Sequence, residues 1–409
     1  AQQPAHLGSV SVTAPRLAEL PLNASTVADD ALSSRRTGTS DAASLLGNIP
    51  GVTLYGAGGV SSLPSIRGLA DDRLRIKVDG MDTIASCPNH MNPALSYVDP
   101  AALGELKVFA GITPVSVGGD SIGGTIVAAS PAPAFAAPGT ESRSRGEVGA
   151  FYRSNGEARG VNATAAWLSE SMSLAYTGAM AEAGNYKAGG DFKSGTATGR
   201  PGHELALDEA GSTAYRTRNH LLSIAHRGAS HLVEAKFGYQ DMPYQLYPNQ
   251  RMDLLGNTAE RANLRWLGTF GWGTLEARAY HERVEHLMDF GADKRYWYGA
   301  ATGGASSVNG AECAPAGPNC AAGMPMNTES RTTGFSAKGD VILGEGSLVR
   351  VGGEYQGYRL DDWWPPSGGG MWPDTFWNVR DGSRDRAALF VEWEGRVRDR
   401  WLALAGVRY

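Results

Sequence analysis

The chain has 409 residues, 42% of them hydrophobic, with 37 Lys and Arg against 42 Asp and Glu for a formal net charge of -5. That balance excludes an intrinsically disordered chain and offers no basic footprint for a nucleic-acid partner. No run reaches the ~18 apolar residues of a membrane-spanning helix, which leaves β-barrels open because their strands alternate.

Glycine stands out: 54 residues, roughly double the usual ~7%, beside 10 Trp and 15 Tyr and without a Gly-X-Y period. The mixture favours turn-rich β structure. The N-terminus, Ala1-Gln-Gln-Pro4, has neither a basic n-region nor an apolar h-region, as in a mature chain after signal removal or one that never had a signal. A polar lead follows, and residues 1–39 are read as an N-terminal segment. Residues 40–140 carry mixed α/β patterning: a helix over Ala42–Leu46 ended by Gly47-Asn48, then short strands such as Leu74–Val78, closed by the hairpin signal Asp79-Gly80. A breaker-rich linker, Pro131 to Gly139, separates this domain from residues 141–409.

Beyond the linker the pattern has period two. Val233, Ala235, Phe237 and Tyr239 share a face opposite Glu234 and Lys236. Leu275, Ala277 and Ala279 oppose Glu276, Arg278, Tyr280 and Glu282, and Leu389, Val391 and Trp393 oppose Glu392 and Glu394. Apolar side chains outside and charges inside are what a barrel in lipid with a polar lumen requires. A soluble β-sandwich also alternates. However, the connections are sorted, with short turns at Phe270–Gly273 and Glu394–Asp399 and long insertions near 184–212, 290–330 and 360–384. That sorting is the outer-membrane pattern.

Of the three cysteines, Cys313 and Cys320 lie in one short Gly, Ala, Pro and Asn segment, and a disulfide between them is the economical pairing. It implies an oxidising compartment and leaves Cys87 as an odd thiol.

The N-terminal domain carries, in order, Asn48-Ile-Pro-Gly-Val52, Ser65-Ile-Arg-Gly68, Arg75-Ile-Lys-Val-Asp-Gly80, Leu103 to Gly111 and Gly118-Gly-Asp-Ser-Ile-Gly-Gly-Thr125. These motifs resemble those of the plug domains of TonB-dependent outer-membrane receptors. The resemblance implies an α/β plug held inside an antiparallel transmembrane β-barrel of about 22 strands. The stretch after the linker has room for roughly ten spanning strands, so the chain is read as the plug and about the first half of the barrel of a longer protein. Upstream, Gly8, Ser9, Val10, Ser11, Val12, Thr13 and Ala14 resemble the TonB box, an extended segment captured by the periplasmic energy-transducing protein through strand addition. The expected partners are therefore TonB, outer-membrane lipid and the transported ligand, with no nucleic acid, in the outer membrane of a Gram-negative bacterium.

The chemistry concentrates at Cys87-Pro-Asn-His-Met91 and His286-Leu-Met288. Pro88 suits the first position of a helical turn, which would align Cys87 with Met91 and favour the thiolate at a helix N-terminus. Counting by twos from Glu276 places His286 and Met288 on the lumen face. A thiolate, two thioethers and an imidazole form a soft donor set, suited to a copper ion, Cu(I) before Cu(II), and unsuited to Mg²⁺ or Ca²⁺. The combination closely resembles the OprC-type copper receptors of the family, which implies Cys87, Met91, His286 and Met288 as copper ligands. His90, Met324 and Met326 are accessory candidates, and Met242 and Met252 bracket an aromatic loop, Tyr244 to Tyr247. Two rivals follow from the same residues: a receptor of this fold for a siderophore, haem or cobalamin, and a periplasmic copper redox protein, whose ligands are also His, Cys and Met. No nucleophile elbow or phosphate loop with its Lys is present, so no enzyme is expected.

Overall fold

The computed structural model describes residues 23–409 apart from 197, 199–201, 295–323, 345, 367–373 and 399–400. The proposed coupling segment 8–14 and the pair Cys313 and Cys320 lie outside the described residues.

The N-terminal domain is built from short elements. Strand β1 (Ala24–Ala28) leads into helix α1 (Asp29–Arg36), a 3-10 turn (Ala43–Leu46) and the hairpin β2 (Val52–Gly58) and β3 (Ser61–Ile66). Then come β4 (Leu74–Val78), β5 (Met81–Asp82), β6 (Glu105–Ala110), α2 (Val115–Gly118) and β7 (Gly124–Ala129). One sheet runs β1-β6-β7-β4-β5, with β4 and β7 the parallel pair. Its register Ala24↔Phe109 draws the plug sheet from residues upstream of 40. The expected helix over 42–46 is a single 3-10 turn, because only four residues separate Ala42 from Gly47, too few to repay α-helix nucleation. The core gathers Leu32, Leu46, Ile66, Leu95, Leu106 and Ile126, each fully buried.

The turn between β4 and β5 shows why the sequence reads as it does. Asp79 and Gly80 both have positive φ, 50° and 79°, the geometry of a two-residue hairpin turn whose twist matches its strands. A Cβ at Gly80 would also lie 2.7 Å from the guanidinium of Arg278, so the position needs glycine for conformation and for space.

The remainder is an antiparallel meander: β8 (Arg143–Arg153), β9 (Ala158–Leu168), β10 (Met172–Ala183), β11 (Tyr215–Arg227), β12 (His231–Gln245), β13 (Asp253–Phe270), β14 (Gly273–Asp289), β15 (Met326–Gly344), β16 (Ser347–Trp364), β17 (Phe376–Val397) and β18 (Trp401–Arg408). The 11 strands lie in sequence order, and the sheet is open between β8 and β18. Strands β15, β16 and β17 run further than expected, claiming 326–330, 360–364 and 376–384 from what read as loops. Gly, Asp and Trp there gave a loop composition, but ladder pairing such as Asp362↔Val379 decides the outcome.

The alternation is observed side by side. Phe237 is 50% and Leu389 69% exposed, while Glu234 and Glu392 on the other face are 5% and 1% exposed. The polar face closes on the plug. Lys236 Nζ donates to Asp79 Oδ1 at 2.9 Å, and Asn263 Nδ2 and Arg278 donate to the Asp79 carbonyl, the first at 2.8 Å. Buried Arg75 pairs with Asp82 at 2.5 Å and Asp120 at 2.6 Å within the plug and with Glu354 of β16; Arg386 of β17 reaches the same Asp82 at 2.5 Å. Contacts from one small domain to strands as far apart as β11 and β18 require the sheet to curve around it.

Candidate metal centre

The segment carrying Cys87 is not a helical turn. His90 N–H donates to the Cys87 carbonyl at 3.0 Å, and His90 has φ of 52°, so residues 87–90 form a tight reverse turn. Pro93 explains the difference: it drives Asn92 out of the α region, leaving too few residues after Pro88 for a helix to close. The thiol is therefore not activated by a helix terminus. Burial pushes the Cys87 thiol up, and the backbone N–H groups of Met91, Asn89 and Asn92 around its sulfur pull the other way. Cys87 is a free cysteine and fully buried.

The reverse turn nevertheless sends Cys87 and Met91 the same way. Both belong to one buried apolar cluster with Met242, Met252, Met288 and Met326, so five of the chain's 10 methionines meet the cysteine there. Tyr215, Tyr247, Leu254 and Phe290 fill the cluster, and Met324 and Trp364 pack against it. Met288 sits directly across the ladder from Met326, and both are buried because strand parity turns them inward. Any one of these methionines would pass as core packing. Two from the plug loop and the β14 motif beside a free thiol form a soft-donor pocket.

His286, two residues before Met288, is 3% exposed. Its Nδ1 lies 3.3 Å from Asn257 Oδ1, whereas its Nε2 is buried with no hydrogen-bond partner. A buried imidazole nitrogen left bare is costly in a merely structural site and is what a metal ligand requires. Among the described residues no three His, Cys, Asp or Glu side chains converge, so sulfur supplies most of the donors gathered here.

His90 faces elsewhere. Its Nε2 lies 3.7 Å from Asp72, and both line a polar cavity of about 290 Å³ with Arg75, Asp82 and Arg386. The Asp72 carboxylate raises His90 above the usual imidazole range. The turn thus shows its thiol to the sulfur cluster and its imidazole to the polar chamber.

Sequence reasoning assigns Asp362 no role at the site. It is fully buried, accepts from Thr328 Oγ1 at 2.9 Å and Asn378 Nδ2 at 2.7 Å, and shares a cross-strand row with Thr328 and His286. Its charge also reaches Cys87. Asn92 and Asn257 were likewise unmarked. Strand parity counted through 360–364 would have turned Asp362 inward, had that segment read as strand.

Residues 16–125 match the TonB-dependent Receptor Plug Domain family. No curated protein sequence matches the chain. Among solved structures, the copper transporter OprC superposes with a TM-score of 0.72 at 18% identity, over 94% of this chain and 54% of that one. The siderophore receptor PirA from Acinetobacter baumannii superposes at 0.67 with 14% identity, over 95% and 56%. The Serratia marcescens hemophore receptor HasR, in complex with its hemophore HasA and heme, gives 0.65 at 16%, over 94% and 51%. The chain thus spans about half the length of these structures. A plug domain of this family is thus enclosed by a meander of long, inward-polar strands, and the chain has the fold of the TonB-dependent receptors.

Proposed function

We propose that this chain serves the TonB-dependent passage of copper across the outer membrane, with the ion held between plug and wall by Cys87, Met91, His286 and Met288. The observation that carries the reading is the meeting, in one buried cluster, of a free thiol and a thioether from the plug with a thioether from β14, two residues along the same strand from an imidazole with a bare nitrogen. Such donors favour Cu(I). Met326 and Met324, with Met242 and Met252, extend the sulfur surface along the wall strands and supply a route for the ion. Residues 8–14 would be the segment that TonB captures, and outer-membrane lipid would face the apolar side of the wall.

The fold is shared with siderophore and haem receptors, so copper rests on the site rather than on the fold. Residues at most 8% exposed suit a bare ion better than a bulky chelate. Elemental analysis of the folded chain in detergent, loaded with Cu(I) and washed, is expected to show one retained copper. Cys87→Ala should lose it almost entirely, since the anionic donor is gone. Retention unchanged by Cys87→Ala, or retention of an iron chelate in place of copper, would overturn the reading.

A further inference from the structure

Behind His286 runs a line of buried side chains that no ligand assignment uses. Asn257 Nδ2 donates to Gln240 Oε1 at 3.4 Å, Gln240 Nε2 donates to Asn219 Oδ1 at 2.8 Å, and Asn219 Nδ2 donates to Asp99 Oδ2 at 3.2 Å. His286, Asn257, Gln240 and Asn219 come from four adjacent wall strands, β14, β13, β12 and β11; Asp99 belongs to the plug. The four wall side chains are at most 9% exposed, so their partners are protein groups, and Asn219 Nδ2 also donates to Thr217 Oγ1 at 3.0 Å.

Two independent points fix the direction of every link. Burial pushes the Asp99 carboxyl up to about 6, so at neutral pH it is ionised and only accepts. Asn219 must therefore turn its NH₂ toward Asp99 and its oxygen toward Gln240. Separately, Gln240 Nε2 donates to the Ser96 backbone carbonyl at 2.9 Å, and a carbonyl cannot donate in return. Gln240 must then turn its oxygen toward Asn257, which offers Nδ2 to it and Oδ1 to His286. That Oδ1 also accepts from Asn92 Nδ2 at 3.2 Å. An imidazole nitrogen facing an amide oxygen has to carry the proton, so Nδ1 is the N–H and Nε2 keeps its lone pair.

We propose that Asp99, Asn219, Gln240 and Asn257 are positioning residues, a one-way donor chain anchored on the plug that fixes the His286 tautomer and aims Nε2 at the ion. The inference rests on the copper reading only for the identity of the ion. Three of its contacts are with the plug: Asp99, the Ser96 carbonyl, and Asn92, which adjoins Met91 on the loop of Cys87. Displacing that part of the plug removes the anchor of His286 and carries off the thiolate together, so plug movement and loss of the ion become one event.

The test is the histidine tautomer of the full metal-free chain in detergent, read from ¹⁵N shifts, with His286 assigned by its absence in His286→Gln. The expected state is protonated at Nδ1 and bare at Nε2. Asn257→Leu removes the acceptor that faces Nδ1 and should give mixed tautomers and copper retention about 10- to 100-fold weaker. Asp99→Asn frees Asn219 while the Ser96 carbonyl still holds Gln240, and should move the tautomer less than Asn257→Leu does. Asn263→Leu removes another plug-to-wall amide bond, to the Asp79 carbonyl, and should leave the tautomer unchanged. An Nε2–H tautomer in the unsubstituted chain, or one that Asn257→Leu does not disturb, overturns the proposal. If the tautomer responds as expected while no form retains copper, the relay stands and the copper reading fails. If copper is retained through Cys87 and the tautomer ignores Asn257→Leu, the relay fails alone.

Discussion

The plug and the wall obey opposite burial rules in one chain. In the plug, Leu32, Ile66 and Leu106 lie inside and Asp29 and Asp30 of α1 lie outside, as in any water-soluble domain. In the wall, Phe237 and Leu389 face out while Glu234, Glu282 and Glu392 face in. The difference teaches that exposure is not solvation: on the outer-membrane reading proposed above, an exposed side chain on the wall meets hydrocarbon, whereas one on the plug meets water. Where the two regions touch, ion pairs and amide bonds such as Arg75–Glu354, Lys236–Asp79 and Gln356–Asp82 join them beside the buried apolar cluster around Cys87.

The largest effect is expected at that interface. Arg75 serves Asp82, Asp120 and Glu354 at once, and Arg75→Leu would leave three carboxylates with fewer partners in a buried place. Breaking such a cluster from one side costs about 3–5 kcal/mol. Thermal unfolding of the chain in detergent should show the loss, and a shift within 1 kcal/mol would mean that the plug is held by something other than this cluster.

A smaller effect separates the two kinds of exposure. Phe237→Lys on the outward face of β12 should cost about 2–4 kcal/mol in lipid, because the charge meets hydrocarbon. Ile112→Lys, at an 88% exposed plug position, should stay within about 0.5 kcal/mol. Equal responses to the two substitutions in bilayer-reconstituted protein would break the inside-out reading of the wall.

The smallest expected effect concerns acid. Burial would raise the Asp79 carboxyl, but Lys236 and Ser130 outweigh it and hold the group below the usual carboxylate range. A depressed folded value means that this anchor stabilises the protein above the unfolded value, near 4, and is lost as pH falls through the lower folded value. Unfolding followed from pH 6 to pH 2 should therefore show an acid loss that Asp79→Asn flattens. An unchanged acid limb in Asp79→Asn would remove Asp79 from the set of anchors.

Much of this was legible before any coordinates. The turn Asp79-Gly80, the strand Leu74–Val78 and the inward parity of His286 and Met288 are local properties, set by dihedral preference and by the two-residue repeat of a strand. The plug motifs were readable for the same reason, since glycines mark turns whichever domain they serve. Cys87 drew notice as an odd thiol, although the helix drawn around it was wrong. Local propensity there favoured Pro88 as a start and underweighted Pro93 as a stop.

What the chain alone determined, then, is whatever depends on neighbours in sequence: alternation, turns, and which side chains are soft donors. Tertiary structure decided what depends on partners far away. Pairing of Thr328 with His286 and Asp362 made a strand of residues whose composition read as loop, and brought a buried carboxylate within electrostatic reach of the thiol. The line from His286 to Asp99 joins four strands and the plug through amides, and nothing marks Asn257, Gln240 or Asn219 in the sequence. A neutral amide acquires meaning from the group it faces, and what it faces is fixed only when strands distant in sequence are brought into register.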